Sequence, residues 1–137
     1  SRAWTVGHVS PSAEQRKLYR LAHEQVQHNM ALLRPGLSHR EFVEQSWEIP
    51  PAYWHNRYCC VVHGVGLVDE YPALAHKGAD WTSSGYDGVF EENMVLCVES
   101  YIGEQGGKEG IKLEQQVLIT ANGCEALSRY PWQTDWL

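Results

Sequence analysis

The run Ile111-Lys112-Leu113-Glu114-Gln115-Gln116-Val117-Leu118-Ile119-Thr120, followed by Ala121-Asn122-Gly123, sets the architecture of this chain. Apolar and polar side chains largely alternate along it, which is the pattern of a strand with one buried face. Ala121-Asn122-Gly123 is typical of a tight turn, and residues 124–127 are expected to return as a short strand. The run therefore predicts an antiparallel hairpin that places Glu114 on the face opposite the apolar residues.

Two more strands are predicted upstream of this hairpin. The run Met94-Val95-Leu96-Cys97-Val98 ends at Glu99, and residues 58–62 lead into His63. Residues 73–90 are rich in Gly, Ser and Asp and are expected to be loops. Residues 2–6 are read as the end of another strand.

Two helices are predicted in the first half of the chain. Ser10 is expected to cap the first helix, with Pro11 at its first position and Pro35-Gly36 at its end. Ser38 and Glu41 form a capping-box pattern for the second, and prolines 50 and 51 stop it. Helices followed by mostly antiparallel strands indicate an α+β fold.

Composition narrows the function classes. The 137 residues, 43% of them hydrophobic, fit one domain or part of one. The net charge of −6, without a Lys/Arg cluster, argues against a nucleic-acid partner, and no apolar run is long enough to cross a membrane. The four cysteines include no C-x-x-C pair, so we expect reduced thiols in a cytoplasmic protein.

His63, Glu99 and Glu114 are the candidate metal ligands. One imidazole and two strand-borne carboxylates suit a transition metal such as zinc, manganese or iron. Each residue alone has an ordinary explanation: a structural histidine, a strand-end surface residue, and a glutamate paired with Lys112. The three together favour a metal site, because Gly64 and Gly66 let the backbone approach a bound ion or substrate closely.

These motifs resemble the creatinase/methionine-aminopeptidase superfamily, the peptidase M24 type, which has the pita-bread fold. The resemblance rests on His63-Gly-Val-Gly-Leu, the run ending at Glu99, Gly106-Gly107, and Lys112-Leu-Glu114 with the strand after it. It implies a metal centre of two Asp, one His and two Glu, with His63, Glu99 and Glu114 in the last three roles. The two Asp are expected just upstream of Ser1, so residues 1–137 are interpreted as the C-terminal part of a pita-bread catalytic domain.

The sequence departs from the peptidases of this superfamily at Asp69-Glu70-Tyr71-Pro72. The peptidases keep a His there, in a His-Glu-x-Pro setting, where it assists peptide hydrolysis. The long match from Val62 to Pro72, together with Ser84–Val89 and Gly107–Glu114, is similar instead to the superfamily's dimethylsulfoniopropionate lyases. These enzymes cleave dimethylsulfoniopropionate into dimethyl sulfide and acrylate.

The lyase resemblance implies roles for individual residues. Asp69 is the candidate base, expected in an apolar pocket where a carboxylate is a stronger base. Tyr58 resembles a substrate-contacting tyrosine of the lyases, and Trp81 is a weaker candidate for substrate binding. A turn-capping carboxylate and ordinary packing aromatics remain the alternatives for these residues.

The expected partner is a small-molecule substrate, and the full-length protein is expected to be a homodimer. Two other functions stay open at this stage. One is a metallopeptidase of the Xaa-Pro dipeptidase or aminopeptidase type. The other is a non-catalytic pita-bread module that binds a partner.

Overall fold

The computed structural model describes all residues 1–137. Its three α-helices, two 3₁₀ segments and five strands follow one another along the chain, and the strands form one antiparallel sheet in the order β2-β1-β3-β4-β5. The α+β prediction is confirmed. The elements are α1 Ala13–Leu32, α2 His39–Gln45, a 3₁₀ segment Pro51–Asn56, β1 Val62–Val65, β2 Asp69–Leu74, α3 Trp81–Ser84, β3 Val95–Gly103, β4 Gly110–Thr120, β5 Gly123–Ala126 and a 3₁₀ segment Thr134–Trp136.

The β3–β4 hairpin is the centre of the sheet. Residues alternate strictly between buried and half-buried along β4, as the period of a strand requires. Glu99 lies directly opposite Glu114 in the register. Two acidic side chains are therefore neighbours on the same face, which is unfavourable unless a cation lies near them.

The other face of the sheet packs against α1. Tyr19, Ala22 and Val26 of α1 are fully buried, as are Leu96 and Leu113 of the strands. Burying each large aliphatic or aromatic side chain stabilises the fold by about 1.5–3 kcal/mol before entropy is counted. The helix thus holds the sheet from one side and leaves the opposite face available for a site.

Helix α1 begins later than the sequence indicated. Its N-cap is Ser12, not Ser10, and Pro11 lies outside the helix. The Ser12 hydroxyl accepts a hydrogen bond from the Gln15 backbone at 3.1 Å, and the Gln15 side chain accepts one from the Ser12 backbone at 2.9 Å. Ser10 has Ala13 three residues on and cannot form this reciprocal pair. The capping box of α2, Ser38 with Glu41, is confirmed.

Strand β2 was not predicted. Asp69–Leu74 pairs with β1 although it contains Pro72, because it is an edge strand and proline is tolerated there. Strand β1 begins at Val62, so residues 58–61 are irregular, and residues 2–6 form no strand. Asn93, just before β3, has a positive φ of 73°. None of the helices has the length and apolar character needed to cross a membrane.

Candidate metal centre

Three adjacent strands bring the predicted ligands to one face of the sheet. His63 of β1 lies opposite Cys97 of β3, two residues before Glu99, and Glu99 lies opposite Glu114 of β4. His63 and Glu99 are buried, with 7% and 1% of their surface exposed. A buried carboxylate is costly unless it is paired or metal-bound. The strand pairing thus brings together residues that are up to 51 positions apart in the sequence.

The hydrogen bonding of His63 fits a metal ligand. Its Nδ1 lies 2.8 Å from the Gly64 carbonyl oxygen, which can only accept, so we assign the proton to Nδ1. Nε2 then carries a lone pair and faces Glu99 Oε1 at 3.1 Å. Two acceptors at this distance need a cation or a proton near them. Both atoms could therefore bind one metal ion at ligand distances of about 2.0–2.2 Å.

Cys97 is the site residue that sequence reasoning missed. Ligand atoms of His63, Cys97 and Glu114 all lie within 4.8 Å of one another. Burial, followed by the hydrogen bond to Glu114, raises the pKa of the Cys97 thiol to about 12, so the thiol is a donor to that carboxylate. The period of two along β3, which puts Cys97 on the face of Glu99, was the signal that could have identified it.

Lys112 supplies a cation between the two glutamates. Its ammonium donates to Glu99 and lies 3.9 Å from Glu114 Oε2. Burial lowers the pKa of Lys112, which the charge of Glu114 partly opposes. The pairing of Glu114 with Lys112 therefore exists, but the same ammonium also contacts Glu99.

Glu114 is held in its charged form. Burial would raise the pKa of Glu114, but hydrogen bonds from Cys97 and Ser1 and the positive charge of Lys112 keep it below its ordinary value. The Ser1 hydroxyl donates to its carboxylate at 2.9 Å, and the two backbones exchange hydrogen bonds of 3.1 and 3.2 Å. A carboxylate that stays ionised and already contacts an ammonium can also bind a divalent cation. The imidazole and carboxylates of this face are ligands that such a cation accepts.

A cleft of about 540 Å³ opens beside His63. Asp69 lines it, with Oδ1 3.8 Å from His63 Nδ1. The side chain of Asp69 is 86% exposed, so these residues do not build the apolar pocket expected around it. Asp69 lies at the start of β2, which is the edge strand of the sheet.

Tyr58 and Trp81 have different positions relative to this cleft. Tyr58 lines it, and the Lys112 ammonium lies 3.7 Å from the centre of its ring. Trp81 is not among the lining residues; its ring lies under the Arg40 guanidinium at 4.7 Å, and its Nε1 donates to Asp87 at 3.2 Å. The structure thus joins Tyr58 to the site and leaves Trp81 outside the cleft lining.

Comparison with known proteins agrees with this donor set. Metallopeptidase family M24 matches residues 1–121. The chain belongs to this family. The family is metal-dependent, and His63, Cys97 and Glu114 form a cluster that could hold a metal ion.

Two curated relatives of this M24 chain are named dimethylsulfoniopropionate lyase DddP. The one from Roseovarius nubinhibens is 42% identical over 132 residues, which is 96% of this chain and 29% of that protein. The one from Roseobacter denitrificans is 40% identical over 135 residues, again 96% of this chain and 29% of that protein. The chain thus spans less than a third of the length of these relatives.

The fold is that of M24 enzymes of known structure. The prolidase from Pyrococcus furiosus superposes with a TM-score of 0.68 at 27% identity, covering 89% of this chain and 34% of that one. The pita-bread expectation is confirmed. The curated relatives also include a Xaa-Pro dipeptidase from Pyrococcus furiosus, 32% identical over 126 residues, which is 88% of this chain and 33% of that protein. The chain is therefore similar both to lyases and to peptidases.

Proposed function

We propose that the full-length protein is a metal-dependent lyase that cleaves dimethylsulfoniopropionate into dimethyl sulfide and acrylate. The observation that carries the proposal is similarity to two DddP lyases over 96% of the chain. Asp69-Glu70 stands where the superfamily's peptidases keep a histidine.

The residues of this face would hold the metal as follows. His63, Glu99 and Glu114 are the proposed protein ligands, and two Asp from outside residues 1–137 would complete the set. A bound metal would act as a Lewis acid toward the substrate carboxylate. Burial restricts the side chain of Glu99, and the hydrogen bond from His63 Nδ1 to Gly64 orients the imidazole. Both ligands are therefore oriented without the metal.

Asp69 is the proposed base. Its carboxylate is the one that lies near His63. The Glu70 side chain lies instead against Gly66 in the turn between β1 and β2, since a Cβ added at Gly66 would lie 2.8 Å from Glu70 Cγ. In the elimination, a carboxylate oxygen takes a proton from the carbon next to the substrate carboxylate. The electrons of that C–H bond form the double bond of acrylate, and the carbon–sulfur bond breaks with its electron pair leaving on dimethyl sulfide.

Tyr58 is the proposed substrate contact in the cleft that Asp69 also lines. Burial, followed by the thiols of Cys59 and Cys60, raises the pKa of Tyr58, so its hydroxyl stays protonated and can donate. The Lys112 ammonium against its ring fixes the ring beside the ligand Glu99. Tyr58 can therefore orient a substrate carboxylate without adding negative charge.

The test uses the full-length, metal-loaded protein. We expect dimethyl sulfide in the headspace over dimethylsulfoniopropionate and no hydrolysis of a Xaa-Pro dipeptide. Hydrolysis of the dipeptide without any sulfide would overturn the lyase proposal in favour of a peptidase, the activity suggested by the similarity to the Pyrococcus furiosus prolidase. Metal loading without either activity would favour a non-catalytic binding module.

A further inference from the structure

We propose that the exposed face of Tyr71 forms a binding subsite for a small onium cation, the sulfonium or quaternary ammonium group of a substrate. The inference rests on the proposed function, because it names the part of that site that selects the charged end of the substrate.

Tyr71 lies on the cleft-facing side of β2. Asp69, Tyr71 and Ala73 alternate with residues of the opposite face, and all three line the cleft beside His63. His63 lies opposite Ala73 in the register, two residues from Tyr71. Two residues of a strand span about 7 Å. This separation suits a small molecule with an anionic end at His63 and a cationic end at Tyr71.

The ring of Tyr71 is held by a column of aromatic rings. It stacks on Tyr86 with the ring centres 4.9 Å apart and the planes 20° apart. Tyr86 in turn stacks on the buried His39 at 5.6 Å, and His39 meets the edge of Phe90 at 4.8 Å. One face of Tyr71 is therefore occupied by Tyr86, while 73% of the residue remains exposed.

The electrostatics beside this ring favour a cation. The face of a tyrosine carries partial negative charge and attracts ammonium-type ions, more strongly where water is displaced. The carboxylate-bearing Asp69 lies two residues before Tyr71 on the same face of β2 and lines the same cleft. A permanently charged onium group forms no hydrogen bonds. An aromatic face beside a carboxylate can bind such a group, whereas a carboxylate alone would bind a hydrated ammonium ion in preference.

The probe for this subsite is tetramethylammonium, which cannot be turned over, with uncharged tert-butanol as its counterpart of similar shape. Binding to the full-length, metal-loaded protein is followed by the line width and chemical shift of the methyl protons. We expect an upfield shift from the tyrosine ring in the wild type and no competition from tert-butanol. Absence of the upfield shift in the wild type, or equal competition by tert-butanol, would overturn the proposal whatever the variants do.

The variants separate the ring face from the hydroxyl. Tyr71→Leu is expected to raise the Kd for tetramethylammonium about two- to fivefold, the range of an exposed cation–π contact. Tyr71→Phe keeps the ring and should bind as the wild type does. Tyr130→Leu, at an exposed tyrosine that packs on Trp4 outside the cleft, is the matched control.

The result is independent of turnover. Tyr71-dependent binding in a protein that releases no dimethyl sulfide would overturn the lyase proposal and leave the onium subsite standing. Unchanged Kd in Tyr71→Leu, in a protein that does release dimethyl sulfide, would overturn the subsite alone.

Discussion

Acidification is expected to destabilise this fold through one buried histidine, His76. The residue is 4% exposed and its Nε2 has no hydrogen-bond partner. Burial, followed by the charge of Arg57, lowers the pKa of His76 from 6.5 to about 4. Hydrogen bonds between the ring and the backbone of Tyr58 and Cys60 partly oppose this lowering of the pKa. The His76 ring therefore packs against the segment that carries Tyr58 into the cleft.

The pKa difference sets the size and the pH range of the effect. Between pH 6.5 and 4 the unfolded chain binds a proton at His76 and the folded chain does not, so stability falls as the pH falls through this range. At about 1.36 kcal/mol per pKa unit, the difference between 6.5 and 4 corresponds to about 3 kcal/mol. Nearly all of this loss is reached as the pH approaches 4, and the full contribution is present above pH 6.5.

The assay is urea unfolding of wild type and His76→Gln between pH 7.5 and 4.5. The wild type should lose about 2–3 kcal/mol more than the variant over this range, because glutamine does not titrate. His55→Gln, at an exposed histidine, should follow the wild type. Parallel stability curves for wild type and His76→Gln would refute the reasoning.

Three further substitutions test the packing and the charges of the site. Gly64→Ala places a Cβ 2.3 Å from the Tyr71 carbonyl oxygen, so it should cost about 1–3 kcal/mol in urea unfolding and displace β2; wild-type stability would contradict this. Lys112→Met leaves Glu99 without its ammonium, so the metal-free protein should lose about 3 kcal/mol of stability and regain it on metal addition; a loss that persists with metal would contradict it. Cys97→Val removes the donor to Glu114 and should weaken metal binding about tenfold in a dialysis competition, whereas Cys97→Ser should keep wild-type affinity.

The sequence predicted the centre of the fold better than its edges. Strand β4, which contains Glu114, has a clear period of two, and β3 was indicated by its apolar run, although it continues past Glu99 to Gly103. Both strands pack on α1. Strand β2 carries exposed residues and Pro72, so its local pattern resembles a loop and only pairing with β1 makes it a strand. The conformation of this segment is therefore set by hydrogen bonds to another strand and not by its local sequence.

The site was predicted only in part, because some of its contacts also depend on the pairing of strands. Motif and charge identified His63, Glu99 and Glu114, but the direct opposition of the two glutamates depends on a register that no local pattern fixes. Cys97 was missed because it lies within an apolar run, where a cysteine is read as one more buried hydrophobic residue. Lys112 was assigned to Glu114 alone because its reach across to Glu99 is a contact between strands. The roles of Asp69 and Tyr58 remain predictions.

The most direct test of the account compares Asp69→Asn with the wild type in the full-length protein. Headspace dimethyl sulfide reports turnover, and elemental analysis reports bound metal. We predict that Asp69→Asn loses sulfide production while its metal content stays near that of the wild type, and that His63→Ala loses the metal. Full turnover by Asp69→Asn would contradict the proposal that this carboxylate is the base.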